Sequence, residues 1–287
     1  QLPEALAKPP LKAQVETLLQ IRTQDLEPDP QGGGSRIREG VAEDRRVSIA
    51  DKEMRHGRKS KSKRFNGFKR HIAADADRGL ILACAITPAN RPEDEAMPCL
   101  TVDMARQGLD VDHLLIDRGY INSTLVDEVL GRRGKIVCKP WTSRNGSLFP
   151  KSAFTLNIRD RTIECPNGQV QGFSFGTVVE FDPDVCDRCA LRAQCTTAEF
   201  GHGRSVAIAE NEPLQQRLRK QIRTSAGRAA LRERTMIEHK LAHISQRQGN
   251  AARYVGVRKN TFDLRRASAI QNLETLHRSE VESQKAA

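Results

Sequence analysis

The run His113-Leu114-Leu115-Ile116-Asp117-Arg118-Gly119-Tyr120 constrains this chain more than any other stretch. Three consecutive apolar residues read as a buried strand, and the acid closes it at the edge where an α/β sheet keeps its chemistry. Gly119 is expected to let the backbone turn sharply away, leaving the Asp117 carboxylate exposed at the strand tip. Two readings fit such a carboxylate: it holds a divalent cation, or it simply ends a strand and starts a turn. A partner carboxylate elsewhere in the chain would favour the first.

The sequence around this strand has an α/β rhythm. Phe65 to Asp75 alternates as a strand, and Asp77-Arg78-Gly79 turns it into Leu80 to Ile86, giving a hairpin. Residues 93–107 read as a helix. Asn122 or Ser123 caps another through about Arg132, Gly134 ends it, and Lys135 to Lys139 is a further short strand. Hairpin, helix, strand, helix, strand predicts a mixed sheet of the ribonuclease-H-like kind over residues 46–140. Residues 1–45 read as an N-terminal arm, with a short amphipathic helix from Leu11 to Ile21 and a flexible Gly-rich linker from Asp29 to Ser35. The basic stretch Gly57 to Lys63 reads as a mobile loop. Residues 141–205, rich in Gly, Pro and Cys, read as a small inserted module. Residues 206–278 are strongly helical with an interruption at Gly249, and 279–287 read as a disordered tail.

The partner acid comes from the helical part. In Leu231 to Ile244, Met236, Ile237, Leu241 and Ile244 form an apolar stripe that predicts a helix packed on the sheet. Arg234 and Glu238 lie four apart on one face. Again two readings stand: an ordinary surface ion pair, or a Glu238 that shares a metal with Asp117 while Arg234 sits near a phosphate. Divalent ions held by carboxylates suit in-line displacement at phosphorus. Mg²⁺ prefers oxygen ligands and keeps several waters, so a few acids suffice.

Charge bears on the partner. The chain carries 47 Lys and Arg against 36 Asp and Glu, a net charge of +11. Such an excess fits a polyanion, because neutralised phosphates release counterions. Arg55, His56, Arg58, Lys59, Lys61, Lys63, Arg64, Lys69 and Arg70 form one cluster, and Arg247, Arg253, Arg258, Lys259, Arg265 and Arg266 a second. Both are expected on a nucleic-acid surface, with Arg58, Lys59, Lys61 and Lys63 contacting phosphates; the alternative is a merely solvated face. No apolar run reaches the length of a membrane span and no secretory signal is visible, which predicts a cytoplasmic protein with no membrane partner. The first residue is Gln1 rather than methionine, and this predicts missing N-terminal sequence.

The cysteines divide in two. Cys84, Cys99 and Cys138 sit in apolar surroundings and read as packing residues. Cys165, Cys186, Cys189 and Cys195 fall in the inserted module, and Cys186-x2-Cys189 has the spacing that lets two thiolates reach one tetrahedral Zn²⁺. A structural zinc on these four and a set of reduced thiols in a small core both fit.

Taken together, these residues resemble the DDE-type transposases of bacterial insertion sequences, over roughly Ser48 to Leu276. The family's strand-terminal Asp-Arg/Lys-Gly-Tyr is matched by Asp117-Arg118-Gly119-Tyr120. Its helical Tyr-x2-Arg-x3-Glu is matched in part, by Arg234 and Glu238, with Leu231 in place of the tyrosine. Ser245 stands where a lysine usual in the family would follow. Met54 to Ser60, Thr87-Pro88-Ala89-Asn90, Cys138-Lys139-Pro140-Trp141, Cys186-x2-Cys189-Ala190-Leu191-Arg192 and Asn260 to Arg266 resemble the branch with an inserted cysteine module. The resemblance implies a ribonuclease-H-like core, Mg²⁺ or Mn²⁺ on Asp117 and Glu238, and cleavage and rejoining of double-stranded DNA at element ends and target. It also implies a homodimer on DNA. The family's first acid, in an Asp-Ser/Gly-Thr context, has no counterpart; it is expected upstream of Gln1, which would leave this chain inactive, with Asp51 as a weak stand-in. A non-catalytic DNA-binding remnant or regulator and a ribonuclease-H-like nuclease are the alternatives.

Overall fold

The computed structural model describes residues 3–42, 44–60 and 62–286. Along the chain run α1 (Leu11–Thr23), β1 (Leu26–Pro28), β2 (Ser35–Ile37), β3 (Arg55–Arg58), β4 (Arg64–Ala74), β5 (Ile81–Pro88), α2 (Met97–Ala105), β6 (His113–Leu115), α3 (Thr124–Gly131) and β7 (Lys135–Val137). There follow β8 (Thr155–Asn157), β9 (Thr162–Glu164), β10 (Val170–Gly172), β11 (Val178–Glu180), α4 (Pro183–Asp187), α5 (Arg192–Cys195), β12 (Ser205–Ala207), α6 (Glu212–Arg223), α7 (Ser225–Glu233), α8 (Thr235–Gln248) and α9 (Val257–Ala286). Two compact units result: Gln1–Leu114 with Gly119–Ile136 and Glu233–Ala287, and Leu115–Arg118 with Val137–Arg232. Among the described residues no helix is long and apolar enough to cross a membrane.

The first unit is built on an antiparallel sheet in the order β3-β4-β5. The hairpin predicted from Phe65 to Ile86 is present, with Gly79 at φ +65° closing its turn. The basic stretch from Gly57 is not simply a mobile loop, because Arg55 to Arg58 pair with Gly67 to Arg64 as an edge strand. Edge strands tolerate charged side chains, since one face and one edge look to water; a pattern search for apolar alternation passes over such a strand. β5 is buried almost along its whole length and is covered by α2 and α9. Its residues Ile81, Cys84 and Ile86 pack with Ile244 of α8 and Leu264 and Ala267 of α9. Of the predicted stripe, Ile244 is fully buried in this core, while Met236, Ile237 and Leu241 are only half-buried.

α9 runs past Leu276 to Ala286, through positions the sequence assigns to a structureless tail. Its buried face mixes Leu264 and Ala267 with Asn260, Asp263, Ser268 and Gln271, which hides the apolar period from sequence inspection. Near that face, Asn272 stands in for a neighbouring strand: its Oδ1 accepts from Ile81 N–H and its Nδ2 donates to Ile81 O, both at 2.8 Å. That pairing blunts the open edge of β5. The Gly-rich stretch after Asp29 joins β1 to β2, with Leu26 opposite Ile37. Arg46, 7% exposed, ties the N-terminal helix down by donating to Thr17 Oγ1 and to the carbonyls of Ser48 and Ile49.

β6 and β7 form a separate two-stranded sheet, so the single mixed sheet expected from the element order is replaced by several small sheets. The α/β class itself stands. In the second unit, β10-β9-β8 make an antiparallel meander and β11 pairs with β12. Phe154, Ile163, Phe173, Val179, Phe181, Val206 and Ile208 are its core, against which Cys165, Cys186 and Cys195 pack. Beneath β12, Glu212 is buried and bonded to Lys151 at 2.5 Å and Arg219 at 2.9 Å.

Candidate active site

Asp117 follows β6, as the sequence puts it, but that strand is not buried as expected: His113 is exposed and Leu114 and Leu115 are half-buried. Ile116 is buried and its N–H donates to Val137 O at 3.0 Å, which anchors the end of the strand. The next side chain is exposed, and its Oδ1 accepts from the N–H of Arg118 at 2.8 Å. A single 3₁₀ turn, Arg118–Tyr120, follows.

The reason for Gly119 differs from the expected one. Its φ is not among the positive values; instead a Cβ there would lie 2.2 Å from Glu93 Oε2 and 3.0 Å from Glu93 Cβ. The position is set by close packing on an acid, Glu93, that the sequence reading passed over.

Tyr120 is held from beneath. Its hydroxyl lies 2.6 Å from His71 Nδ1, and His71 Nε2 lies 2.8 Å from Thr87 Oγ1. The two rings meet edge to face at 5.8 Å. His71 is 2% exposed, and its pKa falls to about 4, first through burial and then through the nearby Lys69 charge. The imidazole is therefore neutral at neutral pH, one nitrogen donating and the other accepting. Nothing in the sequence pairs residues 71 and 120; the one signal is a histidine in the inward register of β4, which carries as many meanings as core histidines do.

Glu238 lies in the first turn of α8, where the helix dipole favours an acid. Its side chain is 66% exposed, and its Oε1 meets Arg234 at 3.3 Å, while the Arg234 side chain is only 14% exposed. The i,i+4 pair is thus present. Asp117 belongs to the second unit and Glu238 to the first; each stands exposed at the end of a packed element.

Asp51, the stand-in for the third acid, has another task. It is 3% exposed; Oδ1 accepts from the N–H groups of Glu53 and Met54 at 3.0 and 3.2 Å, and Oδ2 from Gly256 N–H at 2.9 Å. The carboxylate staples the segment before β3 to the start of α9. A buried acid spent on three backbone donors makes a poor ligand for an ion in solvent.

The first basic cluster is carried by the β3–β4 hairpin. Lys59 N–H donates to Lys63 O at 2.8 Å and Lys63 N–H to Ser60 Oγ at 3.0 Å, which extends the pairing of the two strands beyond Arg58 and Arg64. Arg58, Lys59, Lys63 and Arg64 are exposed there, and among the described residues none of them enters an ion pair. Lys61 lies outside the described residues. The second cluster is different: Arg247 pairs with Glu274, Arg265 with Asp103 at 2.7 Å and Arg266 with Asp263 at 2.6 Å. Those guanidinium groups lock α9 to its neighbours or to itself, which leaves Arg253, Arg258 and Lys259 as exposed charges.

Of the cysteines read as packing residues, Cys84 and Cys138 are buried but Cys99 is exposed. Cys165, Cys186, Cys189 and Cys195 line one cavity in the second unit. Burial pushes the Cys195 thiol pKa up; Arg204 opposes this, while Cys186, Cys165 and Cys189 add to it. Among the described residues no three His, Cys, Asp or Glu side chains are gathered as tightly as a bound metal requires.

Comparison with known proteins gives one family. No curated protein and no solved structure matches the chain. The family model described as "Transposase DDE domain" matches residues 31–273, a span that takes in the strand-tip acid, the Tyr120 buttress, the basic hairpin and Glu238. On that match, covering well over half of its length, the chain belongs to the transposase DDE domain family.

Proposed function

We propose that this protein performs metal-dependent cleavage and transfer of DNA strands at the ends of an insertion sequence, with Asp117 and Glu238 as two of the carboxylates that hold the metal. The observation that carries the reading is the exposed Asp117 directly after the buried Ile116 at the end of β6, followed by a turn fixed through Tyr120 and His71. Both acids offer hard oxygen donors to water, a donor set that fits Mg²⁺ or Mn²⁺. When bound, such ions lower the pKa of an attacking water or hydroxyl and stabilise the leaving oxygen.

The chain's own residues supply position and charge. The buried Ile116 and the 3₁₀ turn fix where the Asp117 carboxylate stands. Arg234, held against Glu238, presents a guanidinium to a phosphate. Arg58, Lys59 and Lys63 on the hairpin tip would track the DNA backbone without reading sequence. The order of a three-stranded antiparallel sheet, a helix and then β6 supports a ribonuclease-H-like core, and two copies acting on paired ends would complete the assembly.

In the full-length protein that carries the family's first acid, Asp117→Asn and Glu238→Gln should each abolish Mg²⁺-dependent nicking of element-end DNA, weaken Mn²⁺ binding measured by electron paramagnetic resonance, and leave end binding in gel shifts intact. Cleavage retained by either variant would overturn the assignment. One observation favours a second reading, a DNA-binding regulator without chemistry: Asp51 is committed to the backbone. Under that reading DNA binds and neither variant changes Mn²⁺ affinity.

A further inference from the structure

The four cysteines of the second unit come from three separate places: Cys165 from the turn between β9 and β10, Cys186 and Cys189 from α4 and the turn after it, and Cys195 from the end of α5. All four line a single cavity of about 30 Å³. That is room for one ion or water and little more. No carboxylate or imidazole shares the wall; beside the neutral oxygens of Asn167, Gln169 and Thr196, the groups that can carry charge to a metal are the four sulfurs. A donor set of this softness selects zinc over the hard cations of phosphoryl transfer.

The backbone around the sulfurs is shaped for thiolates. Gly168, at φ +84°, closes a turn in which Cys165 N–H donates to Gln169 O at 2.9 Å and Gln169 N–H donates to Cys165 Sγ at 3.3 Å. At the other pair, Cys189 N–H donates to Cys186 O at 3.2 Å and Leu191 N–H to Cys189 Sγ at 3.4 Å. Amide donors aimed at sulfur withdraw charge from a metal-bound thiolate and fix its direction. Arg204 lines the same cavity and donates to Cys195 O at 3.1 Å, setting a positive charge beside what would be a dianionic centre.

Packing alone accounts for these residues poorly. Free cysteines that serve a core are among the most buried residues, as Cys84 and Cys138 are here; these four are all half-exposed, and none is in a disulfide. We propose that Cys165, Cys186, Cys189 and Cys195 bind one zinc ion in a closed tetrahedral site that fastens the β9–β10 turn to the α4–α5 segment. Each thiol gives its proton to solvent as its sulfur takes the metal. The sulfurs ring the cavity without being drawn to coordination spacing, so metal binding requires them to turn inward by changes of rotamer. This site is independent of the carboxylate chemistry proposed above.

The test is elemental analysis of the whole chain, purified under reducing conditions from zinc-supplemented cells. One zinc per chain is expected, with Asp117→Asn, Cys84→Ser and Cys99→Ser each retaining it. Cys189→Ser should lower zinc affinity about tenfold or more. To separate loss of metal from loss of fold in that variant, Co²⁺ is also added to the metal-stripped wild-type chain; intense visible bands of tetrahedral cobalt with thiolate charge transfer are expected. Substoichiometric zinc in the wild type, a cobalt spectrum without thiolate bands, or full zinc in Cys189→Ser would each overturn the proposal.

Discussion

Acidification should unfasten the Tyr120 buttress, and the size of the effect follows from His71. An unfolded histidine titrates near 6.5, whereas the folded His71 titrates at about 4, mainly because it is buried. Between those values the unfolded chain holds a proton that the folded chain refuses, so folding stability rises with pH. The contribution is complete above pH 6.5 and falls away as pH drops toward 4. The full span, 2.5 in pKa at 1.36 kcal/mol each, is about 3 kcal/mol, of which about 2 kcal/mol is lost by pH 5. Urea unfolding of the wild type between pH 7.5 and 4.5 measures the total slope, to which other groups also contribute. His71→Leu removes this one group, so the difference in slope isolates it. The variant should be less stable at pH 7.5, by about 2 kcal/mol, because the Tyr120 and Thr87 hydroxyls lose their partner. It should also lose less on acidification. Parallel pH slopes for the two proteins, or a His71 ring proton that titrates near 6.5 by NMR, would refute the reasoning.

Asp51→Ala should cost about 3 kcal/mol by orphaning three backbone donors. Asp51→Asn, which keeps an acceptor, should recover much of that; an Asp51→Asn protein of wild-type stability that has lost cleavage would instead make Asp51 a catalytic ligand. Replacing Arg58, Lys59 and Lys63 together with alanine should flatten the slope of log affinity for DNA against log salt by up to about 3, at about 0.9 per phosphate contact. A slope that does not move marks the hairpin tip as solvent-facing only. Glu212→Gln should cost about 3–5 kcal/mol, because Lys151 and Arg219 lose the buried charge they share; a midpoint of thermal unfolding within a degree or two of wild type would contradict that.

What the sequence disclosed and what it hid divide along contact range. The β4–β5 hairpin, the Asp117 strand, α3 and the core stripe of α8 are written in adjacent residues, through alternation, helical spacing and turn-forming glycines. His71 with Tyr120, Asn272 with Ile81, and Arg265 with Asp103 are separated by 49, 191 and 162 positions. No local pattern marks any of these pairs. The second basic cluster shows the consequence. Counted as charge, it resembles a DNA surface; folded, Arg247, Arg265 and Arg266 are spent on acids that hold α9, whereas Arg58, Lys59, Lys63 and Arg64 at the hairpin tip are all exposed and enter no ion pair among the described residues. β3 was missed for a related reason, since its partner strand, rather than its own composition, makes it a strand.

The same separation bears on how the acids of this fold should be sought. Asp51 and Asp117 look alike in sequence, each an acid after a short run containing apolar residues. Folding sends one inward to accept three amide protons and leaves the other exposed at a strand tip. A carboxylate that must bind a hydrated cation has to keep lone pairs toward water, while one that organises a turn gives them to the backbone. Exposure together with a rigid anchor, rather than spacing from the next acid, is therefore the property that separates a ligand from a staple. By that criterion the proposed ligands Asp117 and Glu238 meet the requirement of exposure and Asp51 does not. Any third ligand should be another exposed acid at the end of a packed element, and the exchange of that acid for its amide should weaken Mn²⁺ binding as Asp117→Asn does without lowering the unfolding midpoint.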